Sequence, residues 1–322
     1  MILTVTLNAA LDVTYFVDDL TPHTSHRVKR TFERAGGKGI NVARVLAALG
    51  HPVLLTGLVG GTTGQAVGED LRSAGLRDAL VPVPGESRRT VTVVSERSGD
   101  ATVFNQPGPR VDPCSWPAFT RRFAELAGQA RVVVLAGSLP PGLPCDTYAS
   151  LVTAAREAGA VTVLDTSGPA LLAALDARPD VIKPNAAEII EVTGRSHLAD
   201  AAAELQARGA RAVVASDGPR GLHAVTRDGR HRAVPPTRLR GNPTGAGNPT
   251  GAGNPTDAGD ACVAALAAGL AAGLPWPDIL RDAVALSAAA VAAPLAGDFH
   301  RDLYEQFRTD VSVETPHAPD AH

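Results

Sequence analysis

"GNPTGAGNPTGAGNPTDAGDA", residues 241–261, says nearly one thing three times, and its reading decides how the chain is organised. Gly-Asn-Pro-Thr-Gly-Ala opens at Gly241 and again at Gly247; the copy at Gly253 carries Asp257 where the earlier ones have Gly245 and Gly251. A unit of six residues is far below the period of solenoids or propellers. Its composition suits a flexible linker, which would cut the chain in two. Its neighbours argue against that: the strand-like "RHRAV" precedes it and a helix pattern from near Ala258 follows it directly. A Gly-rich turn from strand to helix is where α/β proteins bind anions, because free N–H groups point out of the helix end and the macrodipole favours negative charge. One copy suffices, so the extra two, 12 residues at about 241–252, are read as an insertion beside a working turn.

Only the third copy ends in a carboxylate, Asp260; the first two end in Asn248 and Asn254. An amide cannot take a proton from an alcohol and a carboxylate can. Asp260 is therefore a candidate general base, with the N–H groups of Ala258, Gly259 and Asp260 stabilising charge on a transferred phosphoryl group. Asp is also a favoured helix cap, and the loop alone does not separate the two roles.

Outward from the loop, short apolar runs alternate with helical patterns. Ile2–Leu7, 52–59, 131–137, 161–165, 180–185 and 211–216 read as strands. Residues 40–49, 65–74, 116–127, 146–158, 186–193 and 198–208 read as helices. This rhythm predicts an α/β fold, helices covering both faces of a mostly parallel sheet. Two stretches break it, about 12–35 and 88–106: both read as amphipathic strands, the second a hairpin around Ser98-Gly99-Asp100, and together they suit a small lid sheet or a dimer contact. The Ala-rich run from Ala261 to Leu274 reads as a buried helix, and the polar end, 309–322, as a disordered tail.

Composition excludes several classes. A net charge of −3 and 4 % aromatic residues leave neither a basic field nor stacking platforms for nucleic acid. No segment is long enough to span a membrane. Three cysteines without a C-x-x-C pair argue against disulfides and zinc, and for a cytoplasmic setting. There is no P-loop G-x-x-x-x-G-K-[ST], and no H-R-D or D-F-G.

Further motifs are "TLNAALD", "GGKGINVARVLAALG", "SRRTV", "NQPGP", "GSLPPG", "KPNAAE" and "SDGPRG". With "NPTDAGDA" they stand in the order found in the PfkB/ribokinase family of sugar kinases, which the chain resembles from Met1 to about Asp298. Within that family it is most similar to 1-phosphofructokinases and their tagatose-6-phosphate kinase relatives. The resemblance implies a ribokinase-like three-layer α/β/α domain over residues 1–308 with a small β lid. It implies an ATP-dependent phosphosugar kinase, making fructose 1,6-bisphosphate from fructose 1-phosphate. Tagatose 6-phosphate and fructose 6-phosphate are alternative acceptors.

Residue roles follow from the same resemblance. Asp12 binds sugar hydroxyls, and Gly37, Gly39 and Asn41 form the sugar-contacting turn. Lys38 and Arg88 converge on the substrate phosphate, and Ser138 lies on a substrate-side loop. Asn185 and Glu188 organise Mg²⁺, through water, near the nucleotide phosphates; Lys183 lies nearby, and Ser216, Gly218 and Gly221 hold the adenosine side. A homodimer through the lid is expected.

The departures are specific. Asp257 replaces the first Gly of the family's loop, Ala9 replaces a Pro, and Gln106 stands where Glu is common. Asp257 brings a second carboxylate to the ATP phosphates, so a non-catalytic sugar-phosphate or nucleotide binder is the alternative of another class.

Overall fold

The computed structural model describes residues 1–235, 255–293 and 295–315. The inserted copies, 241–252, lie outside the described residues. The strands are β1 (Ile2–Thr6), β2 (Ala10–Val17), β3 (Arg30–Gly36), β4 (Val53–Val59), β5 (Val81–Pro82), β6 (Arg88–Ser95), β7 (Ala101–Asn105), β8 (Val132–Ala136), β9 (Val161–Asp165), β10 (Val181–Ile182), β11 (Val213–Ser216), β12 (Leu222–Thr226), β13 (Gly229–Val234) and β14 (Ser312–Glu314). The helices are α1 (Lys38–Ala48), α2 (Gly61–Ser73), α3 (Trp116–Ala127), α4 (Thr147–Glu157), α5 (Gly168–Ala174), α6 (Ala186–Thr193), α7 (Leu198–Ala207), α8 (Pro255–Ala272), α9 (Trp276–Val291) and α10 (Arg301–Asp310).

The large sheet has the order β14-β13-β12-β11-β10-β9-β8-β1-β4-β5. It is parallel from β11 to β5 and antiparallel from β11 to β14. The apolar runs are buried because both faces are covered, as the alternating rhythm predicts. Along β8, Val132, Val134 and Ala136 face one cluster with α1, α8, α9 and α10, while Val133 and Leu135 face another with α3, α4 and α7. Phe119, Phe123 and Tyr148 are fully buried in the second; each such side chain contributes about 1.5–3 kcal/mol by leaving water.

The lid is a second sheet of order β3-β2-β6-β7. Its outer pairs are antiparallel and its central pair, β2 with β6, is parallel. The hairpin turns at Gly99, where the Ser95 amide donates to the Asp100 carbonyl across 2.9 Å. Leu11, Val13 and Ala35 seat the lid on Ile40 and Ala43 of α1 and on Val67 and Leu71 of α2.

Two expectations need correction. The polar end was expected to be disordered from 309, yet Ser312–Glu314 pairs with β13, Val311 is buried and Val313 packs on the core. Two valines in alternation with polar residues suffice to add an edge strand. The helix after the repeat begins at Pro255, not near Ala258. A proline is pre-set for the first helical position, where its missing N–H costs nothing. No helix among the described residues is long and apolar enough to cross a membrane.

In an open α/β sheet, ligands bind outside the carboxyl ends of the strands where the winding direction reverses. Here that point lies between β1 and β8: β1 leads through α1 to β4 on one side, and β8 through α4 to β9 on the other.

Candidate active site

The residues at that edge form two groups. The first surrounds the start of α8. Asp260 is fully buried and accepts a 2.8 Å hydrogen bond from Asn41 Nδ2 of α1. Ser287 Oγ of α9 donates to the Ala258 carbonyl at 2.9 Å and so fixes the first turn from behind. Lys183, just past β10, holds its Nζ 3.6 Å from where a side chain on Gly259 would begin. α8 starts at Pro255, and the first N–H groups of an α-helix have no partner within it. The expected Ala258–Asp260 set lies near the start of this helix.

Beneath this turn lies Asp165, the last residue of β9, with its side chain 1 % exposed. Lys38 Nζ donates to both its oxygens, at 3.1 and 3.2 Å, and Lys183 Nζ stands 3.8 Å from Oδ1. Burial pulls the Lys38 pKa down, but Asp165, Asp260 and Glu188 outweigh it and hold the ammonium above the ordinary lysine value. Lys38 thus senses three carboxylates from three separate segments.

Asn185 and Glu188 close a capping box on α6. The Glu188 amide donates to Asn185 Oδ1 at 2.9 Å, and the Asn185 amide donates to Glu188 Oε2 at 2.8 Å. Ser216 bridges to Asn185, and its amide donates to the Pro184 carbonyl at 3.0 Å. Gly218 opens and Gly221 follows a short turn in which Arg220 pairs with Asp217. Among the described residues no group of three His, Cys, Asp or Glu side chains could hold a metal directly. One amide oxygen and one carboxylate are hard donors that fit a Mg²⁺ retaining most of its water.

The second group belongs to the lid. Asp12 sits opposite Arg34 on β3 and Thr90 on β6. Gly36 makes room for it: a Cβ there would lie 1.8 Å from Asp12 Oδ2. Arg88 Nε donates to the Asn8 carbonyl at 3.0 Å, and its Nη1 to Thr90 Oγ1 at 3.1 Å. Asn8 Nδ2 in turn donates to Ser138 Oγ at 3.1 Å. Gly37 is the N-cap of α1 with φ 108°, and Gly39 lies buried in its first turn.

Burial raises the Asp12 carboxyl above the ordinary range; the Thr90 hydroxyl and the Arg88, Arg34 and Arg44 guanidiniums lower it without cancelling the rise. A carboxyl with a higher pKa folded than unfolded opposes folding once ionised. That penalty is full above the folded value and vanishes below the unfolded one. Asp12→Asn therefore raises the melting temperature at neutral pH, and the gain closes as pH falls toward about 4. The same variant weakens sugar binding; thermal melts against pH, with KM for the acceptor, check both.

The structure thus brings Asp260, Asn41, Lys38, Lys183, Gly259 and Glu188 together, and separately Asp12, Arg88 and Ser138. In the structure Lys38 donates to Asp165, while Arg88 donates to the Asn8 carbonyl and to Thr90. Asp165, Asn8 and Gly36 were missed by sequence reasoning. Asp165 could have been found as the one acid closing an otherwise apolar strand, "VTVLD".

A model of the pfkB family of carbohydrate kinases matches residues 3–301. The 1-phosphofructokinase of Rhodobacter capsulatus is 37 % identical over 296 residues, 90 % of either chain. Phosphofructokinase-2 from Escherichia coli, solved in complex with fructose 6-phosphate, superposes with a TM-score of 0.84 at 28 % identity, covering 96 % of this chain and 98 % of that one. A tetrameric inhibited form of the same protein is also similar, again with a TM-score of 0.84 at 28 % identity, covering 96 % of this chain and 98 % of that one. A Thermotoga maritima protein described as a possible 1-phosphofructokinase gives a TM-score of 0.83 at 26 % identity, covering 98 % of this chain and 99 % of that one.

Proposed function

The chain belongs to the pfkB family of carbohydrate kinases, and from that premise we propose that it transfers the terminal phosphoryl group of ATP to fructose 1-phosphate. The observation that carries this reading is Asp260: a buried carboxylate, oriented by Asn41, beside two lysines at the anion-binding end of a helix. Asp260 takes the proton of the acceptor hydroxyl, whose oxygen attacks the γ-phosphorus in line. The bond from that phosphorus to the β–γ bridging oxygen breaks, and ADP leaves. Charge on the phosphoryl group in transit meets the first-turn N–H groups of α8 and the ammonium of Lys38, which exchanges Asp165 for phosphate oxygen. This assigns Lys38 to the transferring group and leaves Arg88 as the cation for the phosphate the sugar already carries.

Asp12 holds sugar hydroxyls, and Asn185 and Glu188 would hold the water shell of Mg²⁺, which when bound offsets negative charge on the triphosphate. Lys183 stands beside the anion-binding turn, and Ser216, Gly218 and Gly221 face the nucleoside. The lid closes over the acceptor and excludes water, and a cytoplasmic setting belongs to the same proposal.

An ADP-release assay against fructose 1-phosphate, tagatose 6-phosphate, fructose 6-phosphate and fructose tests the reading. Fructose 1-phosphate is expected to give the highest kcat/KM and fructose a value lower by a hundredfold or more. Preference for fructose 6-phosphate, the ligand of the E. coli comparison structure, moves the acceptor and keeps the reaction. Binding without turnover establishes the non-catalytic alternative.

Asp257 is the third residue of α8, where an acid favours the helix dipole by about 0.3–1 kcal/mol and so competes with an incoming phosphate. Asp257→Gly is expected to lower KM for ATP about two- to fivefold; an unchanged KM shows the carboxylate does not reach the phosphates.

We propose also that two copies associate through their lids. Phe32, Thr14, Thr92 and Val103 lie in one cross-strand row, with Phe32 43 % and Val103 50 % exposed. Two exposed apolar side chains on one row of the lid suit a contact surface. Light scattering is expected to show a dimer that Phe32→Asp converts to monomer.

A further inference from the structure

We propose that Asn8 is the positioning residue for the sugar end of the site; the proposal rests on the phosphosugar reading above and adds a residue that reading does not use. Asn8 lies two residues beyond β1, at the point where the winding of the sheet reverses, and is 7 % exposed. It joins three segments remote in sequence. Its Nδ2 donates to the Pro107 carbonyl and to Ser138 Oγ, each at 3.1 Å, and its main-chain carbonyl accepts from Arg88 Nε at 3.0 Å.

The chemistry of these partners removes ambiguity. A main-chain carbonyl only accepts, so the amide end facing Pro107 must be nitrogen. The oxygen end abuts Gly108, where an added Cβ would lie 2.2 Å from Asn8 Oδ1. Both amide hydrogens are thereby spent, one on the lid loop and one on the substrate-side loop.

The consequence falls on Ser138. Because its oxygen accepts from Asn8, its own hydrogen is left to donate, and Ser138 is exposed to the cleft edge. On the other side, Asn8 and Thr90 occupy Nε and Nη1 of Arg88, which aims the remaining guanidinium hydrogens elsewhere. Asn8 therefore holds two donors, the neutral Ser138 hydroxyl through its side chain and the charged Arg88 through its main chain. That pair suits an oxygen-rich group such as a phosphate monoester. Sequence reading passed over Asn8 because an asparagine after a strand is an ordinary turn residue.

Asn8→Asp keeps the shape and inverts the polarity: an ionised carboxylate cannot donate, repels the Pro107 carbonyl and draws the Ser138 hydrogen to itself. KM for fructose 1-phosphate is expected to rise at least tenfold, with KM for ATP changed less than twofold and kcat within threefold. In a Ser138→Ala background most of the KM effect should disappear, because the two residues act as one device. Hydrogen exchange at 105–110 and 137–142 should quicken in Asn8→Ala with no ligand present. A KM that does not move, equal rises in both KM values, additive single and double variants, or unchanged exchange each overturn the proposal. If the wild type prefers another acceptor, the fructose 1-phosphate reading fails and the KM split is read with that acceptor. If it turns over none, the exchange measurement decides alone.

Discussion

Asp260→Asn lowers kcat by about three orders of magnitude while leaving both KM values within a few-fold. The substitution is close to a one-atom change at a fully buried site. The side-chain amide retains an oxygen able to accept from Asn41 Nδ2, so the 2.8 Å contact that orients the side chain survives. What disappears is the lone pair basic enough to take a proton from an alcohol. Positive charge in the neighbourhood also gains relative to negative, since Lys38 then faces two carboxylates, Asp165 and Glu188, where it faced three. That favours phosphate binding slightly, so KM for ATP is expected to fall or hold, not rise. Steady-state kinetics with ATP and fructose 1-phosphate separate the outcomes. Loss confined to kcat identifies a group acting in the transition state. A rise in KM with kcat intact would make Asp260 a binding residue and remove the base from the mechanism.

Sequence reading located this acid because its neighbours carry a local grammar: glycine and proline, then an uninterrupted apolar helix. Residues 40–49 and 161–165 were legible for the same reason, since burial on a sheet or against it imposes a period on adjacent positions. The same logic separated the lid, whose strands alternate instead of being continuously apolar. What could not be read is long-range polar pairing. Lys38 was read as a cation for the substrate phosphate, and its carboxylate partner, Asp165, lies 127 positions away. Nothing in either segment encodes that distance; the parallel order β9-β8-β1 creates it. Asn8 was invisible for a related reason, because its three partners lie 80, 99 and 130 positions off. The ordered end, Ser312–Glu314, was misread because an edge strand needs only a few residues once a neighbour such as β13 offers its free side.

Asp165→Ala is the substitution expected to cost most in stability. Asp165 is the counter-charge for Lys183, whose side chain is 5 % exposed, and for Lys38, whose side chain is 31 % exposed. A buried ion pair adds little over a well-packed apolar pair, but deleting one partner leaves the other charge stranded, at about 3–5 kcal/mol. Here the deletion removes the counter-charge shared by two ammonium groups and leaves Lys38 with Asp260 and Glu188 alone. A fall in melting temperature of roughly 10 °C follows from that energy and the entropy of unfolding a chain of this size. Lys38→Met in the same chain should recover part of the loss, because one of the two charges that shared Asp165 is then gone; Lys38→Met alone should cost little, since the more exposed partner is removed and Lys183 remains to meet Asp165. Added ATP sharpens the experiment. A polyanion bound beside Lys183 and Lys38 supplies the negative charge that Asp165 provided, and in the wild type it must do so against that carboxylate. The nucleotide is therefore expected to raise the melting temperature of Asp165→Ala by more than it raises that of the wild type. Equal shifts would mean that the phosphates do not approach these two lysines, and the assignment of Lys38 to the group in transit would fall with them.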